Sequence, residues 1–466
     1  MDANQLYYGD CLDWMVQAKD ESVDLIYLDP PFNSKANYNI TYGDSNGKPA
    51  QVVAFEDTWF WDSKAKKRVD RFKNAIGLQG HKSISGLYSI LGDSGMIAYL
   101  SYMAERLAEM NRLLKNSGSI FLHCDPTASH YLKILMDDIF GHGCFRNEII
   151  WYYKNASRGK RELAHSHDVL LWYSKSGEKE SWTFNYKDIL VPYESGMTEW
   201  RYTKGGQKGK TLPKGKVPDD VIALPSLNAM AKERLGYPTQ KPESLLEHII
   251  ITSSKENDVV LDPFCGCGTA MAVAKKLNRR WIGIDISPMA IDLVKYRKLK
   301  DKDIPVNGIP TDIKGAQQLA VEKPFDFEKW VLTRLDGFMP NRKQTGDGGL
   351  DGRAKIAHPK ADESGLAIAE VKGGANVGVA QIRAFAEVIQ REGAQLGVFI
   401  TLRKLNASGA IRQVLANMNS EPVTIESKGY SRLQLYSIEE YFDSRKPNLP
   451  PMLDPYTSQE IHPELL

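Results

Sequence analysis

The sequence predicts an α/β protein: a doubly wound, mostly parallel sheet, followed by a smaller α/β domain. Three observations carry this. Apolar strand candidates alternate with helix-spaced segments, the pattern of parallel sheets. Two of those strands end abruptly in Pro- or Gly-rich turns that carry an acid. A charged stretch, Lys298 to Asp303, then leads into a Pro/Gly-containing linker, beyond which strand–helix–strand alternation begins again. At 466 residues the chain exceeds one core, since domains run to about 100–200 residues. With 42% hydrophobic and 25% charged residues, wholesale disorder is excluded.

In order, Leu6-Tyr7-Tyr8 is a short strand ending in Gly9-Asp10. Val23–Leu28 is a second strand that runs into Asp29-Pro30-Pro31-Phe32, where two prolines force a turn. Residues 97–115 carry apolar positions at helical spacing and stop at Asn116-Ser117-Gly118. Ser119–His123 is a buried strand, and a helix follows from Thr127 to Phe140. Residues 155–235 break the rhythm, being rich in Gly, Lys, Pro and aromatics. It returns with a helix near 242–254, a strand Val259–Leu261, a helix from about 269, and a strand Trp281–Ile284 ending at Asp285. The smaller domain opens with a helix over Phe325–Leu335, followed by strands Leu366–Val371 and Leu396–Thr401 with a helix near 379–392 between them. Six segments result: 1–154, an insert at 155–235, 236–300, a linker at 301–324, a second domain at 325–445, and an irregular tail at 446–466.

No apolar run approaches the roughly 18 residues of a membrane span, and the N-terminus lacks a secretion signal. Five scattered cysteines argue against a disulfide framework and for a reducing cytoplasm. Cys265 and Cys267 have no further partners at zinc-ligand spacing. The formal net charge is only +2, but residues 154–216 hold 13 Lys/Arg against 7 Asp/Glu. Lys204, Lys208, Lys210, Lys214 and Lys216 lie in a Gly-rich stretch, with Trp151, Tyr152, Tyr153, Trp172, Tyr173, Trp182, Phe184, Tyr186, Tyr193, Trp200 and Tyr202 interleaved or upstream. Cations neutralise phosphates and aromatic faces stack on bases, so this reads as a nucleic-acid surface. A solvated loop beside an aromatic core reads equally well.

Asp262-Pro263-Phe264-Cys265-Gly266-Cys267-Gly268-Thr269 follows a strand and opens a helix. Glycines there let backbone N–H groups approach a ligand. Asp285, 23 residues after Asp262, ends the next strand, where an acid takes ribose hydroxyls. The acid at the turn repels phosphates and suits a cationic nucleoside such as S-adenosylmethionine. These residues, with Asp29-Pro30-Pro31-Phe32 and Tyr237-Pro238-Thr239-Gln240-Lys241-Pro242, resemble the cofactor and catalytic motifs of the DNA amino-methyltransferases, in the permuted order of the β class. The resemblance covers about residues 5–297. It implies a Rossmann-like methyltransferase that acts on double-stranded DNA, forms a homodimer and recognises its target through the basic insert. It places Asp10 near the donor's adenine and Lys241-Pro242 near its methionine end. Cys267 departs from the family's usual Ser but keeps the residue small.

An exocyclic amino group is a poor nucleophile because its lone pair is delocalised into the base. Asp29 and the Pro30 carbonyl can accept hydrogen bonds from it, and Phe32 can stack on the flipped base. No Pro-Cys pair exists for C5-cytosine chemistry. A leading Asp resembles the adenine-N6 members, whereas Ser is commoner in cytosine-N4 ones.

In the second domain, Gly346-Asp347-Gly348-Gly349-Leu350-Asp351-Gly352 precedes Glu370-Val371-Lys372 by about one hairpin. Positions i and i+2 share a strand face, so Glu370 and Lys372 project together. Asp351 and Glu370 can bind Mg²⁺, and Lys372 can orient a water. With the helix containing Gln381 and Phe385 and the strand Gly397–Ile400, this resembles the Mrr-like PD-(D/E)xK nucleases over roughly 325–445. The implied function is a restriction–modification enzyme; the alternative makes the C-terminal domain a non-cutting DNA-binding module. Either Asp347 or Asp351 is the metal ligand, with Asp351 favoured by its position.

Overall fold

The computed structural model describes residues 1–31, 37–43, 49–56, 59–75, 77–153, 161, 163–192, 215–228, 230–341, 349–358, 365–374 and 377–461. They cluster into two compact units. The first comprises 1–37, 56–234 and 239–306; the second comprises 38–55, 235–238 and 307–466.

The first unit is built on a nine-stranded sheet. In chain order its strands are β1 (Gln5–Tyr8), β2 (Val23–Leu28), β3 (Leu114–Cys124), β4 (Phe145–Tyr152), β5 (His167–Ser174), β6 (Val221–Ala223), β7 (Val259–Asp262), β8 (Arg280–Asp285) and β9 (Val306–Asn307). Their order across the sheet is β9-β1-β8-β7-β2-β3-β5-β4-β6. β1, β8, β7, β2 and β3 are mutually parallel, and β5 is antiparallel to both β3 and β4. All six residues of β2 are buried, as expected for a central strand covered on both faces. The helix Gly95–Leu113, capped by Ser94, supplies much of that cover through Ile97, Leu100, Met103, Leu107 and Met110.

Several expectations need correction. The helix over 97–115 ends at Leu113, and Asn116-Ser117-Gly118 continues into β3. Gly118 permits this, because a Cβ there would lie 2.8 Å from the Asp24 carbonyl oxygen. Residues 167–174, expected in the irregular insert, form a sheet strand whose last six residues are buried. The expected linker at 301–324 contains the helix Ile313–Glu322, capped by Asp312. Helices Ser63–Asn74, His81–Leu91 and Gly409–Met418 and the strand pair Asn37–Gly43/Pro49–Glu56 were unforeseen.

The second unit holds a five-stranded sheet of β10 (Met339–Pro340), β11 (Gly352–Lys355), β12 (Leu366–Lys372), β13 (Leu396–Thr401) and β14 (Leu433–Ser437), in that order. β10–β11–β12 pair antiparallel, and β12–β13–β14 pair parallel. The helix Val379–Arg391 lays Phe385 against Phe399 of β13, with centroids 5.7 Å apart. The tail crosses this unit as an extended strap: Met452 bridges Ile356, and the Tyr456 ring lies 6.2 Å from that of Tyr237. Among the described residues no helix is long and apolar enough to cross a membrane.

Candidate active sites

Four acids from adjacent parallel strands meet at one edge of the first sheet. Asp10 follows β1, Asp285 ends β8, Asp262 ends β7 and Asp29 follows β2. Carboxyl ends of parallel strands are where α/β sheets place their ligand crevice. Each acid is held differently.

Asp10 caps the helix Cys11–Met15 by accepting from the Leu12 N–H at 2.9 Å. Both its oxygens also accept from Arg106 Nη2, at 2.6 and 2.5 Å. Arg106 is buried and lies 3.2 Å over the Tyr102 ring. Sequence reasoning missed Arg106, because it occupies an ordinary polar position on an amphipathic helix.

The Gly-rich turn is braced from β8. Asp285 accepts from the N–H groups of Gly266 and Ser287, each at 2.8 Å, and the Cys265 N–H donates to the Ile284 carbonyl. The sequence suggests that Asp285 takes ribose hydroxyls; in the structure it braces the loop. Burial pushes its carboxyl up to about 6 despite those bonds. Asp262 accepts from the Phe264 N–H at 3.1 Å. Burial, with Asp29 and Asp285 nearby, raises its carboxyl well above the usual range. Gly268 has φ +83° and caps the helix Thr269–Lys276, and a Cβ there would meet Val294 Cγ2 at 2.8 Å. Cys267 Sγ lies 3.6 Å from Thr269 Oγ1, and burial pushes its thiol up to about 11. Pro263 separates Asp262 from Phe264, whose ring packs on the core.

Asp29 is only 17% exposed at its side chain. Its Oδ2 accepts from Lys241 Nζ at 2.5 Å, while its buried Oδ1 has no hydrogen-bond partner among the described residues. Lys241 is itself buried, and Pro242 after it opens the helix Glu243–Ser253. The sequence suggested the donor's methionine end for Lys241; the structure places it on the catalytic candidate. Pro30 is buried and Pro31 partly so, while Phe32 lies outside the described residues.

Of the interleaved aromatics, Trp151, Trp172 and Tyr173 are core residues, with Trp172 stacked on Phe121 at 5.2 Å. Tyr152, Phe184 and Tyr186 are exposed. Lys216 pairs with Asp219; Lys204, Lys208, Lys210 and Lys214 lie outside the described residues, as do Tyr193, Trp200 and Tyr202.

In the second unit, Asp351 immediately precedes β11. Its N–H donates to the Ala369 carbonyl, and its Oδ2 accepts from the Val371 N–H at 2.6 Å. Glu370, buried on β12, lies 2.7 Å from Lys372 Nζ. Burial disfavours the Lys372 ammonium, but Glu370, Asp351 and Glu328 together hold it above its ordinary range. Glu328, on the helix Pro324–Leu332, lines a cavity with Phe325, Lys329, Asn341 and Asp351. It carries no motif and was not foreseen. Gly349 has φ +83°, which suits a glycine there, and Asp347 lies outside the described residues. No cluster of three or more His, Cys, Asp or Glu poised to hold a metal occurs among the described residues. The donor set at Asp351 and Glu370 is nonetheless two hard carboxylates, which matches Mg²⁺ completed by water and phosphate oxygens.

Comparison with known proteins follows this division. Residues 23–296 match the family model described as DNA methylase, and residues 319–424 match one described as restriction endonuclease. The chain is 36% identical over 250 residues to the type II methyltransferase M.HpaI of Haemophilus parainfluenzae, spanning 53% of this chain and 73% of that one. It is 28% identical over 316 residues to M.BglII of Bacillus subtilis, spanning 66% and 72%. A solved PvuII cytosine-N4-specific DNA methyltransferase aligns at 14% identity with TM-score 0.42, covering 70% of this chain and 92% of that one.

Proposed function

The chain belongs to the DNA methylase family and carries a restriction endonuclease domain, and from that premise we propose that it methylates an exocyclic amino group of double-stranded DNA, adenine N6 in preference to cytosine N4, with S-adenosylmethionine as donor. The observation that carries the reading is the divided Asp29 carboxylate: one oxygen is pinned by Lys241 and the other is buried without a hydrogen-bond partner among the described residues. A buried acceptor left unpaired costs stability unless a ligand satisfies it.

Asp29 Oδ1 and the Pro30 carbonyl accept from the two hydrogens of the target NH₂, drawing its lone pair out of conjugation and toward the methyl carbon. S-adenosylmethionine supplies an electrophilic methyl on a sulfonium. The N–C bond forms as the C–S bond breaks, and the nitrogen sheds one proton toward Asp29. Gly266 and Gly268 keep the loop open to the donor, with Pro263, Phe264 and Thr269 lining it and Asp262 and Asp285 offering acceptors. Asp10 stands at the adenine side, and Pro242 and Lys241 at the other end. Phe32 stacks on the flipped base. The insert at 155–235 reads the target, and the leading Asp of the catalytic motif favours adenine.

In the nuclease domain Asp351 and Glu370 would hold Mg²⁺, which when bound would supply Lewis-acid activation of a water. Lys372 would orient a water and offset charge on the phosphate. The family resemblance also supports a homodimer, which sedimentation would measure. The deciding experiment is single-molecule sequencing of DNA from cells expressing the protein, alongside cells expressing Asp29→Ala. Modified adenines in one sequence context, lost in the variant, are expected. Modified cytosines would reassign the base, and no modification would overturn the reading.

A further inference from the structure

Asp10 is gripped by an arginine to which the transfer described above gives no part. Arg106, on the helix Gly95–Leu113, has only 3% of its side chain exposed. Its Nη2 donates to Oδ1 and Oδ2 of Asp10 at 2.6 and 2.5 Å, and its Nη1 donates to the Tyr102 carbonyl at 3.1 Å. The guanidinium carbon lies 3.2 Å from the centroid of the Tyr102 ring, which packs in turn on Trp59 with centroids 4.6 Å apart. The guanidinium is thus fixed to its own helix by a hydrogen bond and by a ring before it reaches Asp10.

The strand register places Asp10 beside the cofactor turn. Tyr8 of β1 pairs with Asp285 of β8, and the Gly9 N–H donates to the Asp285 carbonyl at 2.9 Å. Asp10 therefore stands just past the acid that braces Gly266. A carboxylate offers about four acceptor sites. Three are taken, one by the Leu12 N–H and two by Arg106, while 34% of the side chain stays exposed. Capping a five-residue helix does not call for a buried arginine, because the bond from Leu12 does that alone. Desolvating a guanidinium is costly, and an apolar side chain of similar volume often serves stability as well. What the arginine adds is a fixed rotamer: with both oxygens held, the acceptor capacity that remains is offered in one direction.

We propose that Arg106 is a positioning residue for donor selection, fixing Asp10 so that its open acceptor meets the exocyclic amino group of the donor's adenine. A base that presents an acceptor at that place is turned away. This rests on the reading that Asp10 stands at the adenine side of the crevice. A structural role, in which the pair only ties the turn after β1 to the helix Gly95–Leu113, is the competing account.

The test titrates the full-length protein by calorimetry, without DNA, with S-adenosylhomocysteine and with S-inosylhomocysteine, in which a carbonyl replaces the amino group. Wild type should bind the adenine compound about ten-fold tighter or more, the worth of one hydrogen bond to a charged group. In Arg106→Met that ratio should fall to about three-fold or less, and Arg106→Lys, which keeps a charged donor, should recover part of it. A structural role weakens both compounds alike and leaves the ratio unchanged. A wild-type ratio in Arg106→Met therefore overturns the proposal, whatever its melting temperature. Should Arg106→Met fail to fold or to bind, Arg106→Gln decides by the same ratio. Asp10→Ala separates the two layers of the argument. A preference lost in Asp10→Ala but kept in Arg106→Met sinks this inference alone. No preference in wild type, or one that survives Asp10→Ala, sinks the reading of Asp10 beneath it.

Discussion

Lys241 Nζ lies 2.5 Å from Asp29 Oδ2, although 212 residues separate the two in sequence. The contact joins the segment before the helix Glu243–Ser253 to the end of β2, and it occupies one of the two Asp29 oxygens.

Removing either partner should therefore have distinct effects. Asp29→Ala removes the acceptor, so methyl transfer should fall by a thousand-fold or more, on the order seen when a charge-stabilising group is lost. Donor binding, measured by calorimetry, should survive. Lys241→Met instead strands a largely buried carboxylate, and about 3 kcal/mol of stability should be lost with activity.

Gly268→Ala tests the loop. The position has φ +83°, and the added methyl would meet Val294 at 2.8 Å. Strain of about 2 kcal/mol is expected, seen as a lower melting temperature and weaker S-adenosylmethionine binding. Val294→Ala should recover part of both by opening space.

Asp285 gives a pH signature. Its folded-state carboxyl is raised to about 6 by burial, above the roughly 3.9 of an unfolded chain. The stability it contributes is thus full below about pH 4 and lost as pH rises through about 6. The donor-free protein should show a melting temperature that declines over this window, and Asp285→Asn should flatten the decline. An unchanged profile in the Asn variant would reassign the effect.

Glu370→Ala separates the two chemistries. Methylation in EDTA should stay within a few-fold of wild type, while Mg²⁺-dependent cleavage of plasmid DNA should disappear. In cells, a nuclease that cuts unmodified sites makes Asp29→Ala toxic and the Asp29→Ala, Glu370→Ala pair harmless. A nuclease that cuts methylated sites leaves both harmless.

Local pattern carried much of the fold. β2 and β13 have the bounds read from their apolar runs, because a strand buried on both faces is written as a continuous apolar segment. The turns at Asp29-Pro30 and Asp262-Pro263 were legible for a similar reason: proline and glycine punctuate a chain without help from tertiary structure. The helix Ile313–Glu322 escaped notice because only Ala316 among its residues is buried, so its apolar face is faint. Arg106 on Asp10 and His123 on Asp168 could not be read at all. Each pair joins residues 96 and 45 positions apart respectively, and no spacing rule reaches that far. Glu370 and Lys372 were legible as neighbours because two residues on one strand share a face, whereas the place of Glu328 beside Asp351 depends on how a helix docks.

The partition of the chain bears on how such a gene is divided. Residues 38–55 and 235–238 belong to the same compact unit as 307–466, so the chain changes unit at five places, not one. A stop codon at the natural-looking border near 306 would not liberate an independent methylase. It would leave both excursions without their host, and Tyr237, three residues ahead of Gln240, without the ring of Tyr456.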